Sequence, residues 1–325
     1  MNVKQFIYII ALSFAICSCD KDELNNQSNN SEGYRNNHVI LIGLDGWGSY
    51  SLSKANMPVV KSLMNQGAFT LHKRSVLPSA SAINWASLYM GVPPEIHGYL
   101  NWNSKEPEIK YSFPIKNNIF PTIFQILKEQ RPLEKSTLFY SWEGIKYLVD
   151  TLSISEVVFV PNLESIDDAK LFNQKVREHI ILEKPRFCNV YYSEPDETGH
   201  KYGFQSEEFY DKIQLLDSFI GEVIQATKDA GIFNNTIFVI TSDHGGVDKQ
   251  HGGRSLLELE SPLIIYGPNV KKGEIEGSVM QYDIGATIAW VLGLDIPSLW
   301  IGRPLIDCFQ FGKRPNLGSG LIWLR

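Results

Sequence analysis

The chain has 325 residues, 43% of them hydrophobic, with 25 Gly and 16 Pro, a globular composition long enough for one large domain or two modest ones. A formal net charge of -6 offers no broad basic surface for nucleic acid to neutralise, so nucleic-acid binding is not expected. Of four cysteines, Cys17 and Cys19 fall in an N-terminal export segment. Cys188 and Cys308, paired or as free buried thiols, are not a disulfide framework in so large a chain.

Residues 1–18 read as a signal peptide. Lys4 supplies the positive start, and Phe6 to Ile16 is an apolar run shorter than the about 20 residues that span a bilayer. The following Ile16-Cys17-Ser18-Cys19 resembles the lipobox of bacterial lipoproteins, in which the cysteine after cleavage receives the lipid. Small Ser18 makes Cys19 the lipidation candidate; Cys17, behind bulky Ile16, is the alternative. Asp20-Lys21-Asp22-Glu23 resembles the acidic tag that sends some lipoproteins to the outer cell surface. Residues 19–37 are rich in Asn and Ser and read as a flexible tether. The expected location is the outer membrane or cell surface, or the periplasmic face, with the lipid as the only membrane contact. A cleaved signal on a freely soluble protein is the other reading.

Residues 38–325 read as one domain. Residues 38–44 (HVILIGL) form a continuous β-branched and aliphatic run, the pattern of a strand covered on both faces. Similar runs recur at 188–192, 236–241 and 263–266, with a weaker one at 137–140. Helix-like stretches lie between, at 57–65, 83–90, 122–129, 169–181 and 207–230. This alternation predicts a three-layer α/β/α sandwich with a mainly parallel sheet. In such sheets functional side chains gather beyond the carboxyl ends of the strands. The stretch 309–325 has no clear period, although Trp323 and Leu324 suggest that it packs against something.

Polar groups do follow the apolar runs. The first ends in Asp45, the run at 188–192 leads to Asp196 and His200, and the run at 236–241 leads to Asp243 and His244, with His251 seven residues on. Three oxygen donors with three imidazoles and no thiolate suit zinc or a similar divalent ion. Six ligands exceed one open catalytic site, and two ions about 3.5–4 Å apart would stabilise the entering and leaving oxygens of an in-line displacement. Ser81 lies in Leu77-Pro78-Ser79-Ala80-Ser81-Ala82-Ile83-Asn84, at a turn into a helix whose free N–H groups and dipole favour an alkoxide. Ser79 is the local rival. Asn84, one turn into the helix, is placed to reach a non-bridging phosphate oxygen.

Together these segments resemble the alkaline phosphatase superfamily, and most closely its nucleotide pyrophosphatase/phosphodiesterase branch. The resemblance runs from about His38 to Ile306. It includes Leu44-Asp45-Gly46, Pro78 to Asn84, Met90-Gly91, Pro94 to Gly98, Pro195 to His200, Asp243 to Gly246, His251-Gly252-Gly253 and Gly302-Arg303-Pro304-Leu305. It implies one zinc ion on Asp45, Asp243 and His244 beside the nucleophile, and another on Asp196, His200 and His251. Ser81 falls at the nucleophile position, where this branch usually has threonine, and Ile83 replaces a common proline. The sulfatase signature, Cys or Ser followed by x-Pro-x-Arg, is absent here. The implied reaction is phosphodiester or nucleotide pyrophosphate hydrolysis through a phosphoserine, with Asn84 and a backbone N–H near Ala82 holding the phosphate charge.

The alternatives are a phosphomonoesterase on the same metals, with Lys249 or Arg254 as an added cation, and a non-catalytic surface binding lipoprotein. His97 reads as structural. Trp47, Trp85, Trp102 and Trp142 read either as pocket walls or as core.

Overall fold

The computed structural model describes residues 37–310 except 113, 162 and 164. The signal segment, Cys19 and nearly all of the tether lie outside the described residues, as do Trp323 and Leu324.

Strand β1 (His38–Asp45) is buried on both sides, and its pleat sends alternate residues into two cores. Val39 and Leu41 join one cluster, while Ile40, Ile42 and Leu44 join the other. The first is roofed by α2 (Ser81–Met90), α3 (Ile123–Gln130) and α7 (Asp283–Val291). The second is roofed by α1 (Pro58–Gln66), α4 (Ile166–Glu183) and α6 (Glu207–Asp229). The result is the expected three-layer sandwich. Cys188 and Cys308 are free and buried.

The sheet adds β2 (Ala68–Arg74), β3 (Ser136–Tyr140), β4 (Glu156–Phe159), β5 (Phe187–Pro195), β6 (Thr236–Thr241), β7 (Glu260–Tyr266) and β8 (Gly273–Glu274). Their order is β4-β3-β5-β1-β6-β7-β2-β8. Only β7 runs against its neighbours, and the central trio β5-β1-β6 is parallel. Helix α5 (Asp196–Tyr202) starts directly where β5 ends.

Sequence patterning did not reveal β2, β4, β8 or α7. Strand β2 contains His72, Lys73 and Arg74, which mask it, yet Lys73 is fully buried. Its ammonium donates to Ser242 O at 2.6 Å and to Gln281 Oε1. Strand β4 is a half-exposed edge, and α7 is apolar nearly all round, without the one-sided stripe that marks a surface helix. Helix α1 lacks a side-chain cap of its own. Asp217 of α6 supplies the acceptors instead, taking Val59 N at 3.0 Å and Val60 N at 2.8 Å.

His97 is structural, as expected, and fully buried. Its Nδ1 accepts from Tyr99 N at 3.1 Å, so Nε2 carries the proton and meets Ser87 Oγ at 2.9 Å. Burial pushes its pKa from 6.5 down to about 3. The folded state therefore requires the neutral ring, and this contribution is intact above pH 6.5 and lost as pH falls below it. Unfolding free energy should drop by ~1.4 kcal/mol per pH unit between pH 6 and 4 from this group. A His97→Gln variant, less stable at pH 7, should show a correspondingly shallower slope in denaturant titrations; an unchanged slope would refute the assignment.

Candidate active site

The register of the central strands sets the site. Asp45 pairs with Pro195 across a bulge after Leu44, which puts it beside Asp196 at the start of α5. On its other side Gly43 pairs with Thr241, so the chain two residues further on brings Asp45 level with Asp243. Gly46 has a left-handed φ of 70°, and a Cβ there would meet the Asp196 carboxylate at 2.6 Å. Glycine is thus needed for both the turn and the close approach. Asp196 and His200 are one helical turn apart on α5, with Oδ2 and Nε2 3.3 Å apart. His251 enters from the loop after β6 and stacks on His244, with ring centroids 3.9 Å apart.

The six predicted ligands form two clusters: Asp45, Asp243 and His244, fully buried, and Asp196, His200 and His251, partly open. Within each, one donor atom per residue lies within 4.8 Å of the others. His244 Nε2 is 3.2 Å from Asp243 Oδ2 and 3.6 Å from Asp45 Oδ1. His251 Nε2 is 3.7 Å from Asp196 Oδ1. Ser81, the first residue of α2, places Oγ 3.3 Å from Asp45 Oδ1 and 3.2 Å from His244 Nε2. It lines a cavity of about 550 Å³ together with Asp45, Asp196, His200 and His251. The rival Ser79 is fully buried and donates to Gly253 O.

The donor chemistry fits divalent cations. His200 Nδ1 lies 2.8 Å from Lys249 O, His244 Nδ1 2.9 Å from Gly245 O, and His251 Nδ1 3.0 Å from Ser79 O. A carbonyl can only accept, so each Nδ1 carries a proton; His244 and His251, as neutral rings, turn a bare Nε2 lone pair toward their clusters, and His200 does so once a cation replaces the Nε2 proton that it shares with Asp196. Asp196 Oδ1 and Asp243 Oδ2 are buried without a hydrogen-bond donor. Lone pairs facing lone pairs at these distances need a positive charge between them.

The titration behaviour carries the same signature. Burial and the neighbouring Asp243 and Asp196 carboxylates hold Asp45 well above the usual carboxylate range. Burial and Asp196 push Asp243 up to about 7. Burial and His244 push His251 down to about 4, whereas the hydrogen bond with Asp196 lifts His200 to about 8. Bound cations would reverse the acid shifts by supplying the missing charge.

The sequence profile of the type I phosphodiesterase/nucleotide pyrophosphatase family matches residues 39–263. The chain belongs to this family. It is 26% identical over 251 residues to ectonucleotide pyrophosphatase/phosphodiesterase family member 1 of Rattus norvegicus, a match covering 71% of this chain and 27% of that protein. It is 23% identical over 255 residues to bis(5'-adenosyl)-triphosphatase ENPP4 of Pongo abelii, covering 73% of this chain and 56% of that one. The chain thus spans about a quarter of the length of the rat relative. Human ectonucleotide pyrophosphatase/phosphodiesterase 5 superposes with a TM-score of 0.67 at 17% identity, over 84% of this chain and 100% of that chain. A 2-O GAG sulfatase gives 0.66 at 13% identity, over 86% and 75%. These likenesses show an α/β fold shared with both, of the alkaline-phosphatase-like kind.

Against this family background two expectations need correction. Asn84 does not present its amide to the cavity. Its Oδ1 accepts from Val76 N at 2.7 Å, and its Nδ2 donates to Val76 O, Pro78 O and Ala80 O at 3.1–3.2 Å. It braces the loop that aims Ser81. The Ala82 N–H is also engaged, by Trp102 O at 3.3 Å. Asn101 is instead the amide that lines the cavity, from an irregular loop that offers no periodicity to read.

Trp102 and Trp142 line the cavity too, whereas Trp47 and Trp85 are core. Trp85 nevertheless serves the site: its Nε1 donates to Asp45 Oδ2 at 3.0 Å, beside the Tyr191 hydroxyl on the same oxygen. Neither residue stood out in the sequence as a partner of Asp45. Lys249 and Arg254 do not line the cavity; the Lys249 ammonium donates to Lys201 O. Removing the hydroxyl in Tyr191→Phe should leave the fold intact and weaken metal retention by ~10-fold or more, measured by competition with a chelator. Unchanged affinity would show that Asp45 is oriented without it.

Proposed function

We propose that this chain is a two-zinc phosphodiesterase that works through a phosphoserine on Ser81. The observation that carries this reading is the position of Ser81 Oγ, within 3.3 Å of Asp45 and His244, at the edge of a cavity shared with the second cluster. Asp45, Asp243 and His244 would hold one ion and Asp196, His200 and His251 the other. Ions bound there supply Lewis acidity toward phosphoryl oxygens and lower the pKa of a nearby hydroxyl.

The residues of the chain do the rest. The braced loop 76–80 and the start of α2 aim Ser81 at phosphorus. An Oγ–P bond forms as the opposite ester P–O bond breaks on the side of the Asp196–His200–His251 cluster, and the alcohol departs with the serine proton. Water then cleaves the phosphoserine, restoring the hydroxyl and releasing a phosphomonoester. Asn101 lines the cavity, and the N–H that its Nδ2 does not give to Glu108 is left for a phosphoryl oxygen.

The choice of diester over monoester rests on charge. Among the described residues no Lys or Arg lines the cavity, and a monoester dianion needs more positive charge than a diester monoanion. Nucleotide pyrophosphate hydrolysis uses the same machinery and remains the second reading, because the family includes it. A binding-only protein would have no use for a nucleophile set against one ligand group on a cavity lined by the other. The location is proposed as an exported lipoprotein tethered through Cys19. Among the described residues no helix is long and apolar enough to cross a membrane.

Purified protein should contain two zinc ions by elemental analysis and hydrolyse bis(4-nitrophenyl) phosphate faster than 4-nitrophenyl phosphate. Ser81→Ala should lose at least ~10³-fold in kcat with its metal content unchanged, whereas Asp243→Asn should lose metal on dialysis. Full activity in Ser81→Ala would remove the nucleophile assignment, and hydrolysis of neither ester by zinc-loaded protein would remove the enzyme.

A further inference from the structure

Trp102 is 58% exposed, the most open tryptophan among the described residues, yet it sits on a tightly braced loop. The Glu108 carboxylate accepts from Leu100 N at 2.9 Å, Asn101 Nδ2 at 3.1 Å and Ser104 Oγ at 2.6 Å. The Trp102 carbonyl in turn accepts the Ala82 N–H at the start of α2. A large apolar ring is therefore fixed at the cavity mouth without a core to bury it. Along the same cavity run Leu100, Trp142 and Tyr191, and its charged lining is acidic, with Glu197 beside the ligand carboxylates.

We propose that Trp102 is a specificity-determining residue, seating an uncharged aromatic ester group on the half of the phosphodiester that stays on Ser81. The assignment to the retained half follows from the tether. The Trp102 carbonyl is tied to the N–H of the residue after Ser81, whose own Oγ faces Asp45 and His244, whereas the departing oxygen faces the other cluster. A ring on the retained group gains face and edge contact with the indole. A further anionic group there meets Glu197 beside the ligand carboxylates and, among the described residues, no Lys or Arg in the cavity lining. The substrate class is thus a singly charged diester with a flat apolar substituent rather than a nucleoside polyphosphate. This inference rests on the phosphodiesterase reading.

The test holds the leaving group constant. The phenyl, methyl and 2-carboxyethyl esters of 4-nitrophenyl phosphate should be hydrolysed with kcat/KM falling in that order. Trp102→Ala should cut the phenyl ester by ~5- to 10-fold, mainly through KM, and leave the methyl ester within about twofold. Trp102→Phe should restore most of the loss. Equal loss on all three esters, or a carboxyethyl ester as good as the phenyl ester in the unmutated protein, would overturn the proposal. Calorimetric binding of diphenyl phosphate against dimethyl phosphate to the zinc-loaded protein separates the two claims. Selective weakening of diphenyl phosphate by Trp102→Ala without any turnover would keep the seat and remove the phosphodiesterase, whereas turnover with no such weakening would do the opposite.

Discussion

Three carboxylates meeting at the ends of three neighbouring strands are the constraint around which this molecule is arranged. Asp45, Asp196 and Asp243 are brought together by sheet register, and burial removes the water that would otherwise screen them. Left alone, Asp45 and Asp243 resist ionisation, while Asp196, despite its burial, is held lower by the His200 hydrogen bond, and one oxygen each of Asp196 and Asp243 has no donor. The three imidazoles, the serine hydroxyl and the cavity are all organised about the charge that this cluster demands. Stability and function pull in opposite directions here, a conflict expected where chemistry is done.

The core and the site share parts. The Trp85 indole packs over β1, where Gly43 leaves the space that a Cβ would fill at 2.3 Å from the ring. From that position it reaches Asp45 with its N–H. One residue thus transmits the packing of α2 against the sheet to the orientation of a ligand carboxylate. Lys73 plays a comparable part beneath Ser242, just before Asp243, without entering the cavity.

Much of this was legible from the residues alone. Continuous apolar runs ending in Asp45, or leading to Asp196 and Asp243, locate both the central strands and the ligands, because one backbone geometry dictates both. The clusters then follow from strand adjacency. What could not be read was set by long-range contact. Lys73 hides a strand because a buried ammonium looks like a surface residue until its acceptors, Ser242 and Gln281, are known. The sequence reading assigned Asn84 a role at the phosphate that the structure does not bear out, since the helix geometry that brings Asn84 near Ser81 also turns its amide onto the loop 76–80. No local pattern marks Asn101, whose place depends on a loop tied down by Glu108.

At its Nδ1 each imidazole in the site is held by a main-chain oxygen, that of Ser79, Gly245 or Lys249. Any residue type whose backbone can follow the same path offers that oxygen equally well. The oxygens of Ser79 and Lys249 are therefore indifferent to the side chain that accompanies them, whereas Gly245 is fixed, since a Cβ there would meet Leu257 O at 2.2 Å. Ring orientation in the site thus depends on the path of the main chain at these three positions rather than on the chemistry of the residues that carry it there.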